Sequence, residues 1–218
     1  MIGARPLEDE EIERLLQYGF EGVYANRNKT FFAIGISTGF RASELLSLSM
    51  RDIMHRKYVK NYIKVTRQHT KGKTIGRTLK LHQFAKDVTQ KWIYERLEEK
   101  IPLPILLNQP VFISREHDTK THLIKPITVT QSWYIMKDAF ELCNVVDNVS
   151  THSMRKTFAK KVYYDAVRQF KNGQSMMDPI RVVQNQLGHK LIQSTLSYLS
   201  FIGSETDPEL FRFKSYAE

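Results

Sequence analysis

Two arginines, two histidines and a tyrosine stand along this chain in an order that could break a phosphodiester bond. Arg41 lies in Thr38-Gly39-Phe40-Arg41-Ala42-Ser43-Glu44-Leu45, and Arg155 lies in His152-Ser153-Met154-Arg155. His189 follows in Leu187-Gly188-His189-Lys190, and Tyr198 comes nine residues later. A guanidinium fork neutralises phosphate oxygens, and an imidazole exchanges protons near neutral pH. A tyrosine oxygen can attack phosphorus and store the broken bond as a phosphotyrosine. Free tyrosine ionises only at about pH 10, so the nucleophile needs cations or a base beside it. No carboxylate cluster suited to two-metal chemistry accompanies the set.

Each residue alone also has a plainer explanation. Arg41 could be a surface arginine paired with Glu44. His152 and Arg155, three apart on one helix face, could be a capping histidine and a solvated arginine. His189 follows a glycine that ends a helix, a place that suits a buried, satisfied histidine. Tyr198 is one of ten tyrosines, most of which must simply pack their rings. Lys71 and Lys73 flank Gly72 in a basic turn. Either could protonate a leaving 5′ oxygen, or merely touch a phosphate.

The elements that must position these residues can be read from periodicity and caps. Helices are expected over Leu7–Leu16, Asn28–Ser37, Arg41–Leu48, Gln83–Glu98 and Thr128–Leu142. Ser150 or Thr151 caps a helix running to about Val167. Asp178-Pro179 opens another that ends at Leu187, and Ser194–Phe201 carries Tyr198. Tyr62–Thr66 and Thr78–Leu81 alternate as strands around a Gly72–Gly76 turn, with a third strand expected near Asp52–Met54. Residues 99–127 hold Pro102, Pro104, Pro110 and Pro126 and read as loop around a short Val111–Ile113 segment. Phe170 to Asp178 reads as an additional loop.

Composition narrows the class. The chain has 218 residues, 41% of them hydrophobic, enough for a substantial core. It has no apolar run long enough to span a bilayer. Cys143 is the single cysteine, which fits a reducing, cytoplasmic setting. The net charge of +10 is unevenly spread: residues 51–80 hold ten basic side chains against Asp52 alone. Residues 151–171 hold six against Asp165, whereas the first twenty residues are net acidic. Such concentration marks a nucleic-acid surface. Lys64, Arg67, Lys73, Arg77, Lys156 and Lys190 are its candidate contacts.

Taken together, the ordered boxes resemble the catalytic domain of the tyrosine recombinases, the phage-integrase and Xer-like family, over roughly residues 6 to 202. The resemblance implies an α+β, mainly α fold with a small three-stranded antiparallel sheet. It implies Arg41, Lys71, His152, Arg155, His189 and Tyr198 as the catalytic set, with Lys73 the alternative to Lys71. The implied activity is site-specific recombination of double-stranded DNA through a 3′-phosphotyrosine, without cofactor or metal. The alternatives are relaxation of the type IB topoisomerase kind, or a catalytically silent DNA-binding protein. The resemblance also implies a homo-oligomer, a tetramer on DNA, with residues 203–218 docking on a neighbouring protomer. Family members usually carry an N-terminal DNA-clamping domain. None is expected within this sequence, which reads as a fragment of a longer protein.

Overall fold

We describe a computed structural model of the chain over residues 4–65, 76–117 and 124–200. Helices dominate, and short two-stranded ladders sit beside them. Helix α1 (Asp9–Tyr18) has three acids in its first turn, where the helix dipole favours them, and turns Ile12 and Leu15 inward. Helix α2 (Ala25–Thr38) is buried continuously from Thr30 to Ile36. A helix apolar on every side belongs in the middle of a core, and α2 packs against both α5 (Gln83–Glu98) and α8 (Thr151–Lys171). Phe31 of α2 meets Phe112 edge-on at 5.2 Å.

Two left-handed glycines decide where the chain turns. Gly39, at φ 61°, ends α2 and donates its N–H to the Gly35 carbonyl at 2.8 Å. A β-carbon there would lie 2.4 Å from the Phe158 ring of α8, so the glycine also allows the two helices to approach. Gly188, at φ 65°, ends α9 (Pro179–Leu187) in the same way. The start of α9 is capped by Asp178, which accepts from the Arg181 amide at 3.0 Å, with Pro179 in the first turn.

Between α2 and α5 lie α3 (Ala42–Leu46) and α4 (Met50–Ile53), then β1 (Met54–His55), β2 (Tyr58–Val59), β3 (Tyr62–Val65) and β4 (Arg77–Lys80). The β3–β4 pair is antiparallel, with Val65 opposite Arg77 and Ile63 opposite Leu79. Its pleat turns Ile63, Val65, Arg77 and Leu79 inward and Lys64, Thr78 and Lys80 outward.

The expected single three-stranded sheet is instead three separate two-stranded ladders among the described residues. Asp52 and Ile53, expected near a third strand, belong to α4. The Asp52 carboxylate accepts from the Ser49 amide at 2.8 Å and its hydroxyl at 2.7 Å, which favours a helical turn there. Met54–His55 then pairs with Tyr58–Val59, not with the basic hairpin.

The proline-rich stretch is also more ordered than expected. It contains α6 (Leu103–Asn108), then β5 (Ile113–His117) and β6 (Ile124–Pro126). Proline within the first helical turn loses no intrahelical hydrogen bond, so Pro104 begins α6 rather than breaking it. Helix α7 (Val129–Leu142) starts at a Thr128 cap, as its sequence suggests. Helix α8 starts at the Ser150 cap and reaches Lys171, a turn beyond the expected Val167. Helix α10 (Ile192–Tyr198) ends on the candidate nucleophile. No helix among the described residues is long and apolar enough to cross a membrane.

Candidate active site

Arg155 lies at the centre. It is 1% exposed and is anchored by two helix ends. Its Nη1 donates to the carbonyl of Gly39 at the end of α2, and its Nη2 donates to that of Leu187 at the end of α9, the latter at 2.8 Å. Those carbonyls carry the negative ends of the helix dipoles. A buried cation is thus held chiefly by dipoles, and its charge remains available to an anion. Burial, with Arg41 and Arg77 nearby, lowers its pKa to about 10, so it stays protonated at neutral pH.

His189 follows the Gly188 turn. Its Nε2 lies 2.9 Å from Arg155 Nη2, and its Nδ1 lies 3.1 Å from the hydroxyl of Thr195. Arginine can only donate, so Nε2 accepts and the proton is assigned to Nδ1, which donates to Thr195. Gln184 fixes the turn: its side-chain amide donates to the His189 carbonyl at 3.1 Å, and its own carbonyl accepts the His189 N–H at 3.0 Å. Thr195 and Tyr198 are three apart on α10 and so face the same way. The Tyr198 ring centre lies 5.1 Å from that of His189 and 5.5 Å from the Arg155 guanidinium carbon.

Arg41 enters at the N-cap of α3. Glu44 reaches back to it, accepting its amide at 2.8 Å and its Nη1 at 3.0 Å. The Arg41 side chain keeps 35% of its exposure. The pairing of Arg41 with Glu44, one of the plainer explanations above, is therefore present. It coexists with a place in the cluster, because Arg41 acts electrostatically on both Arg155 and His189.

His152 stands exposed in the first turn of α8. Partial burial, then the cations Arg155, Arg41 and Lys156, hold its pKa below the ordinary histidine value. His189 is shifted further, down to about 3, by burial first and then by Arg155, Arg41 and Arg77. Both rings are therefore neutral at pH 7.

These shifts have a consequence for stability. Each ring binds a proton more weakly folded than unfolded, so the unfolded state gains protons first as pH falls. Stability is complete above the unfolded value of about 6.5 and declines below it, for His189 over the range down to its folded value. Between pH 7.5 and 5 the carboxylates contribute little to this slope. Over that interval the urea midpoint of the DNA-free chain should fall, and His189→Asn should flatten the decline. An identical slope in the variant would remove His189 as its source.

The expected surface cations separate into groups. Lys64 is exposed on the outer face of β3, Lys190 is exposed beside His189, and Lys156 is half-buried. Arg77 is buried rather than on the surface, and its Nη2 pairs with Glu44 at 2.7 Å. Arg67, Lys71 and Lys73 lie outside the described residues, as does the segment 203–218. Gln184 carries no signal in the sequence that places it at the site, whereas Glu44 is expected there as an Arg41 partner and Thr195 as part of the box that ends at Tyr198.

The chain belongs to the phage integrase family, which it matches over residues 5–201. Among its relatives, tyrosine recombinase XerD of Oceanobacillus iheyensis is 24% identical over 193 residues, covering 88% of this chain and 56% of XerD. The probable integrase/recombinase YoeC of Bacillus subtilis is 26% identical over 162 residues, 71% of each chain. XerA recombinase shares the fold with a TM-score of 0.64 at 18% identity, over 94% of this chain and 66% of XerA. XerH, in a post-cleavage complex with its palindromic difH substrate, superposes with a TM-score of 0.59 at 19% identity, over 92% of this chain and 50% of XerH. The chain thus spans just over half the length of the XerD it resembles.

Proposed function

We propose that this chain cleaves and rejoins double-stranded DNA at specific sites through a 3′-phosphotyrosine. The observation that carries the reading is the meeting of Arg155, His189 and Tyr198, with Arg41 near enough that its charge lowers the pKa of both His152 and His189. Arg41 and Arg155 hold the non-bridging oxygens of the scissile phosphate and stabilise the charge that grows in the transition state. His189, once drawn off Arg155, gives a non-bridging oxygen a hydrogen bond from Nε2, and its Nδ1 then accepts from the Thr195 hydroxyl. Neutral His152 takes the proton from Tyr198. The phenolic oxygen forms a bond to phosphorus as the bond to the 5′ oxygen breaks, and Lys71, or Lys73 in its place, supplies the proton to that oxygen. Attack by a 5′ hydroxyl of another strand reverses these steps without an external energy source.

Arg155 is covered in this arrangement by the Tyr198 ring and held by His189. A phosphate must therefore draw Tyr198 and His189 off the guanidinium as it enters. Lys64, Lys156 and Lys190 provide backbone contacts beside the cluster. Recombination further requires a homo-oligomer on DNA, with residues 203–218 joining neighbouring protomers.

A nicked oligonucleotide duplex bearing the target site tests the reading. The cut strand should become covalently attached to the chain, and EDTA should leave the yield unchanged, since no step uses a metal. Loss of the adduct on chelation would contradict the metal-free step. Relaxation of supercoiled plasmid without strand exchange would replace recombination with a topoisomerase activity.

A further inference from the structure

Arg77 has no part in the mechanism above, yet it is built into the same cluster. It sits on the inward face of β4, 9% exposed, with its guanidinium 4.9 Å from the centre of the Phe40 ring. Its Nη2 holds one oxygen of the Glu44 carboxylate at 2.7 Å, while Arg41 Nη1 holds the other at 3.0 Å. Its Nη1 and Nε are buried with no hydrogen-bond partner. Nη1 lies against Gly188, where an added β-carbon would be 2.9 Å away. Arg77 therefore touches the residue before Arg41, the residue before His189, and the carboxylate that orients Arg41.

Leaving two N–H groups of a buried arginine unsatisfied is costly, and a neutral residue would fill the same space more cheaply. The cationic charge itself is then the feature to explain. Glu44 is 1% exposed and carries, among the described residues, the one carboxylate bonded to these arginines. Without Arg77, that buried carboxylate would have Arg41 as its remaining guanidinium partner and would draw it into a closed two-toothed pair. Arg41 would lose both its net charge and its direction toward a phosphate. With Arg77 present, the two arginines and Glu44 sum to one positive charge, and Arg41 binds Glu44 through its backbone amide and a single guanidinium nitrogen.

We infer that Arg77 is a positioning residue for strand cleavage: it occupies one oxygen of Glu44 so that Arg41 keeps its charge and orientation for the scissile phosphate. This rests on the cleavage reading above.

The test compares the full chain with R77Q, R77K and R77Q/E44Q, measuring the rate of covalent adduct formation on the nicked duplex, DNA affinity, and thermal unfolding. R77Q should slow cleavage by about 10²-fold, the order of a lost transition-state contact, with affinity little changed. R77K, which keeps a cation beside Glu44, should recover about tenfold of that loss, roughly half of it in free energy. Removing the carboxylate as well, in R77Q/E44Q, should also recover about tenfold, because nothing then competes for Arg41. A merely structural role predicts the reverse, with the double variant no faster than R77Q. That result, or a wild-type rate in R77Q, would overturn the inference. Should R77Q fail to fold, the folded R77K and R77Q/E44Q chains decide: both should cleave within about thirtyfold of wild type, and a larger loss in both overturns it. Absence of any adduct from wild type would instead sink the cleavage reading, and this inference with it.

Discussion

Tyr198→Phe should abolish covalent attachment to DNA and leave binding nearly unchanged. The substitution removes the attacking oxygen and keeps the ring that lies against His189 and Arg155. Tyr198 is half-buried at the end of α10, and the helix is seated by buried Thr195 and Leu199 on either side. The phenylalanine variant should therefore fold normally and still present the basic surface. Denaturing gels of reactions on the nicked duplex measure the adduct, and filter binding or anisotropy measures affinity. An adduct at parental yield would assign the nucleophile elsewhere. Lost affinity with a normal rate of attachment once bound would reduce Tyr198 to a DNA contact.

Arg41→Ala and Arg155→Ala should each slow cleavage by about 10²–10³-fold, because each removes a charged clamp from the transition state. They should differ sharply in stability. Arg155 is 1% exposed and bonds the ends of α2 and α9, so its truncation leaves two buried helix-terminal carbonyls without donors. That should cost about 3 kcal/mol of unfolding free energy or more. Arg41 keeps 35% side-chain exposure and its side chain pairs with Glu44 by one guanidinium nitrogen, so its truncation should cost about 1 kcal/mol or less. Denaturant titration of both variants beside single-turnover cleavage separates the two effects. Equal stability losses would contradict the anchoring of Arg155, and loss of affinity alone would make the arginines ordinary phosphate contacts.

The residues that meet at this site were legible because each belongs to a local pattern. Asp178-Pro179 and Gly188 bracket α9, and Ser150 caps α8, so the positions of His189 and Arg155 relative to their helices could be read directly. What those helices do to each other could not. Nothing local says that the carbonyls of Gly39 and Leu187 converge on one arginine, because that contact joins residues more than a hundred positions apart on one side. On charge alone Arg77 reads as one of the surface cations. Strand parity held a contrary signal: Arg77 has the same parity as Leu79 and Leu81, both buried. A cation on an apolar strand face implies a buried acid to meet it, and Glu44 is that acid. The proline-rich 99–127 stretch misled for a related reason. Prolines were read as breakers, whereas Pro102 and Pro104 stand where a helix begins. The expected third strand forms only at Met54–His55 and pairs with Tyr58–Val59, because a local Ser49–Asp52 cap holds Asp52 and Ile53 in a helical turn.

Mass spectrometry of the proteolysed, nuclease-trimmed adduct shows whether Tyr198 becomes joined to a DNA 3′ phosphate. A single modified peptide spanning Tyr198 is expected, carrying a nucleotide through its 3′ phosphate, with a free 5′ hydroxyl on the released strand. A nucleotide attached to any other residue, or linked to Tyr198 through a 5′ phosphate, would contradict it.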